Sequence, residues 1–239
     1  SHHIITCCQD GPTSIVVAQT LKSNYVGPIM VVAYSYMALV PIIQPAVIKL
    51  TTTKKERLIR MEYKPASVSK RTKILFPILV TIVSGLIAPA SLSLVGMLMF
   101  GNLIRECGVL NYLTDTAKDV LTNLVTLFLG ITIAFTMKAE NFITVQTLMI
   151  MGLGLCAFIF DTFSGVMLAK VMNLFLKEKI NPMIGAAGIS AFPMSARIVQ
   201  KMGIKEDPTN HLLMHAVGAN VSGQIASAIV GGLIIGLVL

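Results

Sequence analysis

Long apolar runs alternate with short polar connectors along almost the whole chain. The longest runs exceed the roughly 18 apolar residues that mark a membrane-spanning helix, and they contain Gly and Pro, which membrane helices tolerate. The pattern predicts about five spanning helices and two or three broken ones. The apolar segments are residues 26–50, 74–88, 91–101, 120–137, 145–176 and 211–239.

Prolines interrupt several of these runs. Pro41 and Pro45 lie inside residues 26–50, so irregular backbone is expected there. The run 91–101 follows Pro89 and is too short to cross a membrane alone, which predicts a half helix. Paired interruptions are the sequence sign of a transporter binding site, because unwound backbone frees carbonyl groups to hold a cation.

Residues 181–202 break the pattern in a different way. Small residues dominate this segment, and it is neither a good span nor a good loop. Asn181, which is followed by proline, has the same character as Asp10, which is followed by Gly-Pro-Thr. In both places a polar side chain precedes a helix breaker and then small residues, as expected where backbone and side chain together bind an ion.

Composition places the chain in a membrane. A soluble domain has about 25% charged residues, whereas only 13% of these 239 residues are charged and 54% are hydrophobic. The net charge of +8 is concentrated in the first third of the chain, above all in the loop at residues 51–73. A short basic loop beside spanning helices stays on the cytoplasmic side. This clustering, with Tyr63 as the one aromatic residue of the loop, argues against a nucleic-acid-binding surface.

Several polar side chains are candidates for chemistry. Asp10 offers a carboxylate beside exposed backbone, which suits a hard cation such as sodium; a turn aspartate at the membrane surface is the alternative. Asn181 and Asn220 are amides beside helix breakers, and they suit either a cation or ordinary packing. Tyr34 and Tyr36 lie inside an apolar run, where a phenol donates a proton or packs at the interface.

Two charged side chains lie in otherwise apolar surroundings. Arg197 needs an anionic partner there, and snorkelling to the membrane interface is the alternative. Ser190 precedes Arg197 by seven residues, which places both on one helix face if Pro193 permits a continuous helix. Asp161 is either a proton relay in mid-membrane or a residue at an interface where a long helix breaks.

Five motifs stand out, and several are long enough to be specific: DGPT at 10–13, AYSYMALVP at 33–41, GMLMFGNL at 96–103, KINP at 179–182 and LMHA at 213–216. In this order, along practically the whole chain, they resemble the beta subunit of sodium-translocating biotin-dependent decarboxylases. These enzymes act on oxaloacetate, methylmalonyl-CoA or glutaconyl-CoA. Members of the family are longer, so the resemblance implies that residues 1–239 are the C-terminal portion of a longer chain.

The implied architecture is an all-α polytopic membrane protein with broken transmembrane helices, part of an inverted-repeat transporter-like fold. Residues 1–239 are expected to form a single membrane domain. Within it, residues 51–73 form the basic cytoplasmic loop and residues 74–239 form a helical bundle.

The resemblance also implies a sodium site. Asp10 matches the family's essential sodium-site aspartate. Asn181, Gly185 and Asn220 match its other ion-coordinating positions, and Ser190 matches the serine tied to sodium and proton movement.

The implied activity is decarboxylation of carboxybiotin, supplied by a partner subunit, coupled to sodium export. Arg197 matches the arginine that holds the carboxybiotin and Tyr36 a tyrosine of proton delivery, so the implied catalytic residues are these two with Asp10 and Ser190. The implied partners are an alpha subunit with biotin carrier and carboxyltransferase, a small gamma or delta membrane subunit, further beta copies and membrane lipid. The location is a bacterial or archaeal cytoplasmic (inner) membrane.

Two alternatives remain on the residues alone. A sodium-coupled secondary transporter of organic anions or protons uses the same broken helices without biotin. A membrane scaffold without transport, within a larger complex, is the third interpretation.

Overall fold

The computed structural model describes residues 11–23, 25–62, 68–136, 144–189, 191 and 193–238. Within these ranges every regular element is a helix, which confirms the predicted all-α class there. The same ranges contain a 3-10 turn at Pro89–Ser91, a π turn at Thr116–Leu121 and a 3-10 segment at Pro182–Gly188. The α-helices are α1 (Gly11–Thr20), α2 (Val26–Thr51), α3 (Lys54–Arg57), α4 (Lys70–Ile87), α5 (Leu92–Cys107), α6 (Asn111–Asp115), α7 (Thr122–Thr136), α8 (Val145–Phe175), α9 (Met194–Glu206) and α10 (Leu213–Val238).

Helix α2 is bent by 56° between Val26–Ser35 and Ala38–Thr51. Pro41 and Pro45 lie in its second half. A proline lacks an N–H, and its ring presses on the carbonyl group four residues earlier. For Pro41 that carbonyl belongs to residue 37, which lies at the bend. The irregular backbone expected for residues 26–50 therefore takes the form of a bend within α2.

Helices α4 and α5 form an antiparallel hairpin around the 3-10 turn. A methyl group built at Gly96 would lie 4.0 Å from Cγ2 of Thr81, and the Lys73 ammonium lies 3.7 Å from a carboxylate oxygen of Glu106 at the open end. The helix predicted at residues 91–101 is longer than expected, since it continues to Cys107. The interpretation as a half helix stays a prediction.

Two helices in the described part of the chain, α8 and α10, are long and apolar enough to cross a membrane, and α2 is a third if its bent halves form one span. Three of the first four residues of α4 are basic, so α4 is too charged for a candidate membrane span. Helix α7 has only 15 residues, so it is too short for one. The chain is a helical membrane protein. The predicted total of about five crossings stays a prediction.

The best-packed region surrounds the 3-10 segment Pro182–Gly188. Helices α2, α8, α9 and α10 all contact this segment. By contrast, α4, α5 and α7 leave large apolar side chains exposed, as expected for helices that face lipid rather than water. The buried cluster at the segment includes Ile48, Val166, Met183, Ile184, Val199, Leu212 and Ala216.

Candidate functional site

The 3-10 segment Pro182–Gly188 is bounded by Asn181 at its start and by Ile189 at its end, and both residues are extended. Asn181 caps it, accepting a hydrogen bond from the Met183 N–H through Oδ1 at 3.1 Å, and Pro182 occupies the first position, where its missing N–H has no cost. At the other end Ile189 is extended, with ψ 147°. The sequence prediction that this region is neither span nor loop is confirmed for its first half.

Asn181 is fully buried and joins the segment to the loop after α3. Its Nδ2 donates to the carbonyl oxygens of Arg57 and Ile59, each at 2.9 Å. Its Oδ1 is engaged with Met183. The amide is therefore hydrogen-bonded at both ends and braces the loop end of the segment.

Gly185 packs directly against helix α8. A Cβ at Gly185 would overlap the carbonyl oxygen of Gly165, and a Cβ at Gly165 would overlap the carbonyl oxygen of Gly185. Glycine at both positions lets the two backbones touch. This close approach explains why position 185 is a glycine, whether or not an ion binds there.

Asn220 lies at the opposite end of the segment from Asn181. It is fully buried in α10, and its Nδ2 donates to the carbonyl oxygen of Ile189. Its Oδ1 is buried and accepts no hydrogen bond from any described residue. Such a group is uncommon because buried polar atoms are nearly always paired.

Gln44 shows the same arrangement, and the sequence analysis missed it. This α2 side chain is 0% exposed, and its Nε2 donates to the Ala186 carbonyl oxygen at 2.7 Å. Its Oε1, like the oxygen of Asn220, has no hydrogen-bond partner within the described ranges. A glutamine between two prolines in an apolar run was the available signal. Carbonyl and amide oxygens are the ligands that hard cations prefer.

Arg197 lies in the first turn of α9, with its side chain exposed. Its guanidinium makes no hydrogen bond or ion pair with the residues that the structure describes. The sequence places Ser190 and Arg197 on one helix face only if the helix runs through Pro193, and α9 begins at Met194, after that proline. The positive end of the helix and the guanidinium together favour an anion.

Two of the predicted site residues, Asp10 and Ser190, lie outside the described residues, and Tyr36 belongs to α2 at its bend. Helix α1 begins at Gly11, and a methyl group built at Gly11 would lie 3.8 Å from Oη of Tyr34. Tyr34 is thus near the start of α1. Asp161 lies partly exposed in the middle of α8, and the alternatives for it stay open.

Ion pairs fasten the basic loop at the Asn181 end of the segment. Nε of Arg57 lies 2.9 Å from Glu206, and Nε of Arg60 lies 2.6 Å from Asp207. The pKa of Asp207 is lowered by hydrogen bonds from Thr209 and Arg60. Burial raises the pKa of Glu56, but hydrogen bonds from Thr53 and Lys170 outweigh burial and lower it. Asp207 and Glu56 are therefore charged and paired at neutral pH. The residues that carry these contacts are Thr53, Glu56, Arg57, Arg60, Lys170, Glu206, Asp207 and Thr209.

A Gly223→Ala substitution is expected to destabilise the protein by about 3 kcal/mol. A Cβ at Gly223 would overlap the carbonyl oxygen of Gly188, so backbone must move away from backbone. Gly218→Ala is the matched control on the same helix, because nothing lies within 4 Å of its Cβ position. That change should stabilise α10 by up to about 1 kcal/mol. Denaturant unfolding of the purified protein in detergent measures both, and equal stabilities would contradict the contact.

Residues 3–238 match the family model of the Na+-transporting oxaloacetate decarboxylase beta subunit. The methylmalonyl-CoA decarboxylase subunit beta of Propionigenium modestum is 55% identical over 228 residues, which are 95% of this chain and 58% of that protein. The oxaloacetate decarboxylase beta chain of Klebsiella pneumoniae is 50% identical over 230 residues, which are 96% of this chain and 53% of that protein. The chain thus spans little more than half the length of these relatives. The family resemblance predicted from the five motifs is confirmed.

Proposed function

Because the chain belongs to the family of Na+-transporting oxaloacetate decarboxylase beta subunits, we propose that it decarboxylates carboxybiotin delivered by a partner subunit and couples this reaction to sodium export. The observation that carries the proposal is the unpaired buried oxygen of Asn220, beside a 3-10 segment packed among membrane-length helices. An unpaired buried acceptor is unfavourable, and a bound cation satisfies it. The acyl substrate is chosen by the carboxyltransferase of another subunit.

Asn181 and Asn220, two of the proposed sodium-site residues, contact opposite ends of the 3-10 segment. Its six residue steps of roughly 2.0 Å span about 12 Å, whereas two oxygens on one cation lie within about 5 Å of each other. Asn181, at the loop end, and Asn220, at the far end, therefore serve successive positions along an ion path. The proposed set is Asp10, Asn181, Gly185, Ser190 and Asn220.

Arg197 is proposed to hold the carboxylate of carboxybiotin through charge-assisted hydrogen bonds. Breaking the N–C bond releases carbon dioxide and leaves the electron pair on the biotin nitrogen, which must then take a proton. Tyr36 is proposed to take part in delivering that proton. The exposed position of Arg197 in the first turn of α9 supports access from the water phase.

Coupling is proposed to arise from competition at Asp10. In a low-dielectric site a carboxylate needs either a cation or a proton to neutralise it. Sodium leaves outward as a proton arrives, and that proton completes the decarboxylation. Ser190 would lie on the same path.

The finer architecture is also a proposal. It comprises broken transmembrane helices in an inverted-repeat transporter-like fold, multi-pass in a bacterial or archaeal inner membrane, with the loop at 51–73 on the cytoplasmic side. The 56° bend of α2 supports the proposed broken transmembrane helices. The proposed assembly contains the alpha subunit with its biotin carrier and carboxyltransferase, a small gamma or delta subunit, and more than one copy of beta.

The test is decarboxylation of free carboxybiotin by the complete chain with its partner subunits in sealed vesicles. We expect activity that requires sodium and loads the vesicle lumen with it. Potassium in place of sodium is the control for ionic strength. Sodium exchange without sodium-dependent decarboxylation would overturn the proposal in favour of a secondary transporter.

A further inference from the structure

Gln44 is a fully buried polar side chain that the proposed sodium site does not include. It lies in α2, three residues after Pro41 and directly before Pro45, in a run that is otherwise apolar. An amide in such a place is unfavourable unless both its donor and its acceptor find partners. Both the Nε2 donor and the Oε1 acceptor of Gln44 therefore need a partner.

The donor half has a partner and the acceptor half has none. Nε2 donates to the Ala186 carbonyl oxygen at 2.7 Å, whereas Oε1 is buried and unpaired within the described ranges. Asn220 repeats this arrangement on the carbonyl of Ile189, three residues further on. Two amides from two helices thus donate to one short strip of backbone, residues 186–189, and the side-chain oxygen of each amide is unpaired.

Helix α2 runs alongside this strip. Val40, one turn before Gln44, packs in a buried cluster with Ile189 and Phe158. The face of α2 that carries Val40 and Gln44 is therefore the face turned to the 3-10 segment and its end. Pro45 has no N–H, so the carbonyl group of Pro41 lacks its usual donor within the helix.

We propose that the side-chain oxygen of Gln44 is a ligand of the transported sodium ion. The inference rests on the proposed function, which supplies the ion. Gln44 and Asn220 contribute neutral oxygens, which match a monovalent cation whose charge is balanced by a single carboxylate. The Nε2 bond to Ala186 fixes the amide so that its oxygen, rather than its nitrogen, is available.

The competing role for Gln44 is a purely structural brace between α2 and the 3-10 segment. Gln44→Leu removes both halves of the amide, whereas Gln44→Glu keeps a side-chain oxygen and loses the NH2 group. A brace predicts that the two variants behave alike. An oxygen ligand predicts that they differ.

Binding of radioactive sodium to the purified complex that contains the full chain measures this directly, without turnover. We expect Gln44→Leu to weaken sodium binding about tenfold or more, which is the loss of about 1.4 kcal/mol. At a pH where its carboxyl is ionised, Gln44→Glu should bind sodium at least as tightly as the wild type. If Gln44→Leu fails to assemble, the Glu variant alone decides between the two roles.

Asn173→Leu is the matched control. The amide of Asn173 braces the same region, donating to the carbonyl oxygen of Ile180 and accepting from its N–H, both at 2.8 Å, with neither group left unpaired. We expect a lower unfolding temperature and unchanged sodium affinity. An equal loss of sodium binding in this variant would reduce the Gln44 effect to general loosening and overturn the proposal.

The remaining outcomes distinguish a failure of the proposed role of Gln44 from a failure of the proposed function. Wild-type sodium affinity in Gln44→Leu, or equally weak binding in Gln44→Leu and Gln44→Glu, would overturn the role of Gln44 alone. A wild-type complex that binds no sodium would overturn the proposed function as well.

Discussion

Asp10→Asn is expected to abolish the sodium dependence of carboxybiotin decarboxylation and to slow the reaction about 100-fold or more. Removing one partner of a buried charge pair costs about 3–5 kcal/mol, and 1.4 kcal/mol is a factor of ten. An amide still offers an oxygen to sodium, but it leaves the charge of the ion uncompensated. It also cannot bind and release the proton that replaces sodium. Initial rates of carbon dioxide release against sodium concentration measure the effect.

Asp161→Asn is the matched control, because it makes the same change elsewhere in the chain, on the membrane-length helix α8. If Asp161 is a proton relay, the rate falls while the sodium concentration for half-maximal rate stays unchanged. If Asp161 lies at an interface, neither quantity changes. Sodium stimulation that persists in Asp10→Asn would contradict the proposed competition between sodium and the proton.

The helices could be predicted from the sequence because their signals are local. Apolar length marked α8 and α10, and their observed bounds differ from the predicted runs by only a few residues. The break in α-helix at residues 182–188 could also be predicted, since Asn181-Pro182 and the small residues after it disfavour a continuing α-helix. Asn220 could be singled out because an amide beside glycine in an apolar run is conspicuous.

Long-range contacts explain what the sequence could not predict. Gln44 donates to a carbonyl group 142 residues away, and Asn181 donates to one 124 residues away. No spacing rule connects such positions, so the anchoring of two amides on one strip of backbone was invisible. The α4–α5 hairpin was missed for the same reason, because its pairing depends on contacts such as Lys73 with Glu106.

Arg197→Ala is expected to lower kcat/KM for free carboxybiotin about 10- to 100-fold, mainly through a higher KM. Hydrogen bonds to charged groups contribute about 1.5–3 kcal/mol, and the guanidinium meets the substrate carboxylate before the N–C bond breaks. A cation in the first turn opposes the helix dipole, so the helix itself gains nothing from Arg197. The unfolding temperature should therefore stay the same or rise. Arg197→Lys should recover only part of the affinity, because an ammonium lacks the bidentate geometry.

Lys201→Ala is the matched control for charge alone. Lys201 lies one turn after Arg197 on α9 and is also exposed, so removing it changes the net charge of the helix by the same amount. A general attraction of the anionic substrate to a basic surface would make the two variants equal, with effects that vanish at high salt. A specific contact requires a large effect at Arg197 that persists in salt and a small effect at Lys201. Equal, salt-sensitive losses would therefore remove Arg197 from the proposed carboxybiotin site.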